Sequence, residues 1–399
     1  MTRHLTKLLS VITACGIAGP AFSLTIVPTF DSSITGDANA AAIENDIYYA
    51  IGVMESNITD NVTVKIRYVE DESVGLGENS TWIGDYSYPA FLSALKSHAR
   101  SITDTNALSK LPNSTRDPVV GGTQIVLTLP LARLLGLDSG YGSDGFDSTV
   151  SCAMSLMNFT RPPANPDNYD LPSVLEHEMD EVLGISSDLP DATEISPADL
   201  FRYTTILVTT NLVRSYTTSG DNVYFSADGT NLVARYNNDG VGDYGDWWSD
   251  GAYWLPVIGV TNYYPQVQDA YGTPGSFQDL GVSERTILDV VGWTLAAPPV
   301  TKPSLKIARS AANQFTLSWN NKATGYVLQE RTNLVVGTWA FSTTGATNPA
   351  VLVTTNTQKF YRLYKSGSSS ELPEPANAVV AAAHSTYRIV THIYQPRQP

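Results

Sequence analysis

The chain has 399 residues, of which 42% are apolar and 16% are charged, and its formal net charge at pH 7 is −15. This composition is typical of a globular protein with one large and one smaller domain, and it excludes disordered, collagenous and coiled-coil chains. A surface this acidic repels phosphate backbones and anionic lipids, so neither nucleic acids nor membrane surfaces are expected partners.

The N-terminus predicts an export signal over residues 1–23. Arg3 and Lys7 precede a largely apolar stretch at 8–21, and the small residues at its end have the spacing of a cleavage site. The alternative is lipidation of Cys15, which follows Ile-Thr-Ala. Either signal predicts a secreted, cell-surface or periplasmic protein. No later stretch has the ~18 apolar residues that a transmembrane helix needs, so no membrane span is expected.

The chain up to residue 183 alternates between helix and strand patterns. Apolar residues at helical spacing predict helices at 40–55, 91–102 and 171–183. Alternating or short apolar runs predict strands at 62–68, 125–129 and 149–159. The loop-rich remainder contains a predicted hairpin at 216–229, an acidic glycine-rich stretch at 237–246 and a closing helix at 282–291.

Composition divides the chain after the closing helix. Residues 24–297 form the large predicted domain, and the Ala/Pro-rich segment 298–302 is typical of a linker. Short alternating strands predict a small all-β sandwich over 303–365. The Ser- and Pro-rich tail, 366–399, is predicted to be poorly ordered. The expected fold class is an α+β domain with a mixed twisted sheet, followed by a C-terminal all-β sandwich.

The third predicted helix carries the most informative pattern. Asp170 is placed to cap its first turn, and Gly184 suits the left-handed residue after its end. His177 and Glu181 are four residues apart and therefore share one face, with Glu178 beside His177.

Zinc hydrolases use that spacing. Ligands at i and i+4 hold the ion, and a Glu directly after the first ligand acts as general base. Here Glu181 stands where a second His is usual, and a carboxylate binds zinc or calcium but weakens the Lewis acidity of the ion. On this helix alone, a solvent-exposed acidic face is an equally supported interpretation.

The motif His177-Glu178-x-x-Glu181-x-x-Gly184 resembles the active-site helix of the metzincins. More closely, the chain is similar to a family of secreted bacterial metzincin-like metalloproteases. The matching segments span about residues 24–295 and are 28–35, 176–185, 196–203, 224–226, 243–247, 268–275 and 288–293.

The resemblance implies an exported endopeptidase that hydrolyses protein or peptide substrates. Glu178 is then the expected catalytic base, and His177 and Glu181 are expected metal ligands. Zinc is the expected ion and calcium the alternative. The strand near 149–158 is the expected edge strand, which would bind an extended peptide by strand addition. The small C-terminal domain resembles a fibronectin type III sandwich and suggests an association with the cell surface.

The third metal ligand departs from the metzincin pattern. At the expected position stands Ser187, followed by Asp188. Asp188 is therefore the predicted third ligand, with Glu194 and Asp199 as weaker alternatives.

The histidine content limits the ligand set. The chain has five histidines, of which His4 lies in the export signal and His384 and His392 lie in the tail. A three-histidine site inside the large domain is excluded, so any metal site there must be rich in carboxylates.

Other candidate residues receive structural interpretations. His98 is expected to be a packed, hydrogen-bonded histidine and Cys152 a buried strand residue. The stretch 238–246 lacks the helix-flanked calcium loop and is expected to be a solvated turn. Two alternative functions stay open: a non-catalytic binding scaffold of the same fold, and a cell-surface adhesion or carbohydrate-binding protein acting through the sandwich.

Overall fold

This computed structural model describes residues 23–190, 193–205, 212–217, 222–249, 265–296, 306–311, 314–319, 327–331, 340–344, 347–353, 359–364 and 387–396. They divide into a large unit, formed by the chain up to Ala296 and again from Ala376 onward, and a small unit, Ala297–Pro375. Residues 1–22 of the predicted export signal lie outside the described residues. None of the helices described is long and apolar enough to cross a bilayer.

The α-helices of the described residues are α1 (Ser32–Thr35), α2 (Ala40–Asn57), α3 (Tyr88–His98), α4 (Ile102–Leu108), α5 (Leu129–Leu134), α6 (Leu171–Val182) and α7 (Val282–Val291). The strands of the large unit are β1 (Thr25–Phe30), β2 (Thr63–Glu70), β3 (Gly77–Ser87), β4 (Gln124–Thr128), β5 (Ser148–Cys152), β6 (Met157–Asn158), β7 (Tyr169–Asp170), β8 (Arg202–Thr205), β9 (Leu212–Arg214), β10 (Tyr224–Phe225), β11 (Ala234–Arg235), β12 (Tyr271–Gly272) and, after the small unit, β19 (Arg388–Pro396). The small unit contains β13 (Lys306–Ala311), β14 (Gln314–Ser318), β15 (Val327–Arg331), β16 (Ala340–Phe341), β17 (Ala350–Val353) and β18 (Phe360–Tyr364).

One mixed sheet organises the large unit. Its strand order is β1-β2-β5-β3-β19-β12, and β4 also pairs with β3. The strands β1, β2 and β5 are parallel to one another, whereas β3 runs antiparallel to β5 and β19. The expected mixed twisted sheet with several helices is confirmed.

Helix α6 lies at the centre of this unit. It contacts α2 as well as β3, β5 and β19. In β2, Val64, Ile66 and Tyr68 are buried in the same core as the apolar face of α2, while the residues between them are half-buried. This alternation is the period of a strand with one buried face.

Several predicted boundaries need correction. The helix predicted at 91–102 is two helices, because Ser101 caps α4 by accepting the amide of Asp104 at 2.9 Å. The strand predicted at 149–159 ends at Cys152, which is buried as expected. The predicted hairpin at 216–229 includes residues 218–221, which lie outside the described residues. In the described part, β10 pairs with β8 and with the later β11.

Two strands contradict the sequence predictions more seriously. The expected edge strand, β5, is internal because β2 and β3 pair with its two edges. The tail predicted to be poorly ordered contains β19, which joins the large sheet beside β3. Its residues 365–386 lie outside the described residues.

The small unit consists, in its described residues, of strands. They form two antiparallel sheets, β13-β14-β17 and β16-β15-β18. Leu317, Trp319, Leu328, Ala350 and Leu352 form one small core with contributions from both sheets. The expectation of all-β structure is met in these residues.

Candidate metal centre

Helix α6 is buried along its whole length. Its polar residues Glu176, His177, Glu178, Asp180 and Glu181 are each at most 2% exposed. The interpretation of this helix as a solvated acidic face is therefore wrong. Acidic side chains are almost never fully buried without a partner, so this concentration calls for compensating groups.

The ends of α6 follow the sequence signals. The Asp170 carboxylate accepts the amide of Ser173 at 3.0 Å and caps the first turn, and Arg161 pairs with the same carboxylate. Gly184 has φ of 110°, a conformation that side-chain-bearing residues rarely adopt, and it ends the helix. These two features define where α6 begins and ends.

The backbone fixes the imidazole of His177. Its Nδ1 lies 2.9 Å from the carbonyl oxygen of Val267 and donates to it, because a carbonyl can only accept. Nε2 faces Glu181 Oε1 at 3.6 Å and Asp246 Oδ1 at 3.8 Å, and in the neutral ring this tautomer leaves the lone pair on Nε2. A ring nitrogen held in this way is the usual form of a metal-ligating histidine.

Asp246 is the third member of this group, and the sequence analysis did not select it. His177, Glu181 and Asp246 are all buried and offer ligand atoms within 4.8 Å of one another. Asp246 lies at the end of the glycine-rich stretch 237–246. At Gly245 a Cβ would lie 3.0 Å from the amide nitrogen of Ser187, so glycine allows this stretch to approach the chain that follows α6.

The predicted third ligand, Asp188, does not belong to this group. Its carboxylate accepts the hydroxyl of Ser196, and Asp199 accepts the hydroxyl of Ser187 at 2.6 Å. Glu194 forms an ion pair with Arg388. Asp188 and Asp199 therefore stabilise the turn after α6, Glu194 pairs with β19, and none of the three belongs to a group of described residues that could hold a metal.

Gln268 adds a fourth polar side chain to the group of His177, Glu181 and Asp246. Its side-chain amide lies 2.8 Å from Asp246 Oδ1, 3.4 Å from Glu181 Oε1 and 3.4 Å from His177 Nε2. Around a zinc ion with bonds of about 2.0–2.1 Å, tetrahedral ligand atoms lie about 3.4 Å apart. Rotation of the amide by half a turn would bring the carbonyl oxygen, which has no donor among the described residues, to the same corner.

Glu178 points toward β3 beside this group. Its Oε2 accepts Asn79 Nδ2 at 2.9 Å, and the same amide also donates to Glu181. Thr81 donates to Asn79 Oδ1 at 2.6 Å and thereby orients the amide. The second oxygen of Glu178, Oε1, is buried and has no hydrogen-bond donor within the described part of the chain.

The electrostatics of the centre favour a cation. Burial, followed by the neighbouring Glu181, raises the pKa of Glu178, and burial also raises the pKa of Glu181. Burial is again the main cause that raises the pKa of Asp246 well above its ordinary value. Removal of these carboxyls from water opposes their ionisation, and a bound cation would offset that effect. The buried His177, Glu181 and Asp246 could hold a metal ion.

His392, from the final strand, lies at a second group with Glu181 and Asp243. Its Nδ1 is 3.1 Å from Asp243 Oδ2. Burial alone would lower the pKa of His392, but the Glu181 and Asp243 carboxyls raise it to about 10. From the sequence, His392 belongs to the tail and is not a candidate ligand, whereas the fold brings it to this second group beside Glu181.

The remaining candidates occupy structural positions. His98 Nε2 pairs with Asp60 Oδ1 at 3.1 Å, in agreement with a packed, hydrogen-bonded histidine. Asp239, in the glycine-rich stretch, accepts the amides of Val241 and Gly242 and the hydroxyl of Tyr271, which is the behaviour of a turn residue.

Comparison with protein-family models, curated proteins and solved structures finds no significant match to this chain. The metzincin resemblance therefore stays a prediction, and the functional argument depends on the geometry of the site.

Proposed function

We propose that this chain is a metal-dependent endopeptidase whose centre is formed by His177, Glu181 and Asp246. The observation that carries the proposal is the position of Glu178, a buried carboxylate next to a ligand. Its Oε1 has no donor among the described residues, while Asn79 holds its Oε2. That oxygen lies against Gly77 of β3, and in this proposal it accepts the proton of a water bound beside the metal group.

The donor set favours zinc over calcium. Zinc binds both imidazole nitrogens and carboxylate oxygens, and the spacing of the donor atoms suits a four-coordinate ion. Calcium takes six to eight oxygen ligands, and an imidazole among so few oxygens suits it poorly. We therefore propose zinc, held by His177, Glu181 and Asp246, with Gln268 at the fourth corner or displaced from it.

The bound ion would polarise the scissile carbonyl and lower the pKa of an adjacent water. The chain itself supplies the proton acceptor and its orientation. Glu178 takes the proton of the attacking water at Oε1 and returns it to the leaving amine. Asn79 keeps this carboxylate fixed from β3, and Val267 keeps Nε2 of His177 directed toward the ion.

The substrate class and location also belong to this proposal. An extended peptide is expected to bind alongside β3, because Glu178 and Asn79 meet at that strand. The N-terminal signal pattern supports export, and the small β unit is proposed to associate the enzyme with the cell surface.

Metal analysis combined with a peptidase assay tests the proposal. We expect about one zinc per chain, retained in Glu178→Gln and depleted in Glu181→Ala. Glu178→Gln should lose about 10²–10⁴-fold in turnover, the usual contribution of a general base. Glu44→Gln, which makes the same charge change on the outer part of α2, is the matched control and should change neither quantity.

Two outcomes would contradict the proposal. If the chain binds no divalent metal, His177, Glu181 and Asp246 do not form a metal centre. A chain that holds metal but cleaves no peptide would favour the non-catalytic binding scaffold.

A further inference from the structure

The final strand occupies the edge of β3 that lies next to the metal centre. Along Gly77–Thr81, β3 pairs with β5 on one edge and with β19 on the other. The register of β19 runs from Arg388 opposite Ile83 to Tyr394 opposite Gly77. On its far side, β19 is bordered by only the short β12 in the described sheet. Without β19, this edge of β3 would be open beside Asn79 and Glu178.

One face of β19 covers the candidate site. The Tyr394 ring stacks on His177 with a centroid distance of 3.9 Å, and His392 lies against Asp243. Both are buried, at 3% and 6% exposure, whereas Ile389 and Ile393 on the other face are 49% and 42% exposed. The strand therefore closes the centre with its inner side chains.

At Tyr394, where β19 meets the metal centre, the backbone carbonyl is already hydrogen-bonded within the sheet. The carbonyl oxygen of Tyr394 accepts the amide of Leu76 at 2.7 Å, so it is engaged by the β3 side of the sheet. An aromatic ring, rather than a peptide carbonyl, faces the His177 imidazole. A segment bound in this way occupies the position of a substrate without its reactive geometry.

Polar contacts at the start of β19 hold it in place away from the centre. Arg388 pairs with Asp85 at 2.6 Å and with Glu194, and the Tyr387 hydroxyl donates to Asp138 at 2.7 Å. The Arg388 side chain is 38% exposed. Since these pairs lie near the surface and away from the centre, they can be changed without altering the ligands.

We propose that residues 387–396 are an intramolecular inhibitor that occupies the peptide-binding edge of β3 and seals the metal centre. The proposal rests on the proposed peptidase function. Strand addition uses the same backbone groups for an inhibitor and for a substrate, so the two exclude each other. The apparent affinity for substrate is then the intrinsic affinity multiplied by the fraction of chains in which β19 has left the edge.

The test releases the strand in the full-length, metal-loaded protein through Arg388→Glu, which places a carboxylate against Asp85 and Glu194. Lys96→Glu, with the same charge change on α3, is the matched control. Hydrogen exchange at the amides of 77–83, the rate of metal removal by a chelator and peptidase kcat/KM are compared. We expect each to increase about tenfold or more in Arg388→Glu and to stay unchanged in the control.

A synthetic peptide of residues 387–396 provides the reverse experiment. Added to the Arg388→Glu protein, it should restore slow exchange and inhibit hydrolysis in competition with substrate. The same peptide carrying Tyr394→Ala should inhibit at least about tenfold more weakly, because it lacks the ring that stacks on His177.

The outcomes separate the two proposals. Metal-loaded chains that hydrolyse substrate equally well with and without Arg388→Glu would overturn the inhibitory role alone. Equal exchange at 77–83 in the two proteins would do the same. Absence of both metal and hydrolysis from every chain would overturn the proposed function and, with it, the inhibitor.

Discussion

The phenol ring of Tyr394 lies flat on the imidazole of His177, with the ring planes 12° apart. The contact joins the final strand to the central helix, more than 200 positions apart in the sequence. His177 is thus fixed on one face by an aromatic ring and at Nδ1 by the carbonyl of Val267. A ligand held from two directions loses little further freedom when it binds a metal.

The identity of the third ligand can be tested directly. We expect Asp246→Asn to lower zinc affinity by about 10–1000-fold, because a neutral amide replaces a buried anionic ligand. Asp188→Asn makes the same change in the turn after α6 and should leave zinc affinity unchanged. Titration with a competing chelator measures both. Loss of zinc in Asp188→Asn and not in Asp246→Asn would reverse the assignment.

Gly245 should be essential for the position of Asp246. A Cβ at this residue meets the backbone of Ser186 and Ser187 at 3.0–3.1 Å, so Gly245→Ala pushes the glycine-rich stretch away from α6. We expect zinc affinity to fall at least about tenfold. Gly52→Ala in the interior of α2 has open space around it and should stabilise the protein by about 0.5–1 kcal/mol without affecting zinc. Equal zinc affinity in both variants would contradict this role.

Metal removal should destabilise the large unit. Binding to the folded state alone adds about 2.7 kcal/mol at a free concentration 100 times the dissociation constant. For a unit of this size, that corresponds to a fall in Tm of roughly 4 °C on chelation. Calorimetry with and without chelator measures the change. Glu181→Ala serves as the control, since a chain without bound metal should show no shift.

Asp289 should make stability depend on pH. Burial, followed by the nearby Asp104, raises the pKa of Asp289 to about 6, although Ser101 donates to it. Because this folded-state pKa lies above the ordinary value of 3.8, the contribution to stability is complete below about pH 4. It is lost as pH rises through about 6. Asp289→Asn should therefore gain roughly 1–3 kcal/mol relative to the parent between pH 4 and pH 8.

Urea unfolding of both chains at the two pH values provides the measurement. The exposed Asp167→Asn is the control and should show the same pH dependence as the parent. A constant difference between Asp289→Asn and the parent across the range would contradict the prediction.

The sequence predicted those parts of the site that depend on local structure. The bounds of α6, its cap at Asp170 and the shared face of His177 and Glu181 follow from helical spacing and end signals. The same spacing could not show that the helix is buried. That depends on α2 and the sheet, which contact it from distant parts of the chain.

The strand that matters most for the site was missed for a physical reason. β3 turns Asn79 and Thr81 inward, toward the acids of α6, so its buried face is polar and the apolar alternation of a half-buried strand is lost. Asp246 was missed because its place depends on a close backbone approach at Gly245. The strand β19 was missed because its context predicts a disordered tail.

Because β19 is synthesised long after β3, the edge of β3 stays unpaired for part of the synthesis of the chain. About 100 residues separate the end of α7 from Tyr394, and they include the whole small unit. At ordinary elongation rates of 5–20 residues per second, the edge of β3 waits about 5–20 s for its neighbour. A chain that folds during this interval would have α6 and the residues of the centre in place before β19 joins the sheet. In a chain that folds during synthesis, the metal centre would therefore be uncovered until β19 pairs with β3.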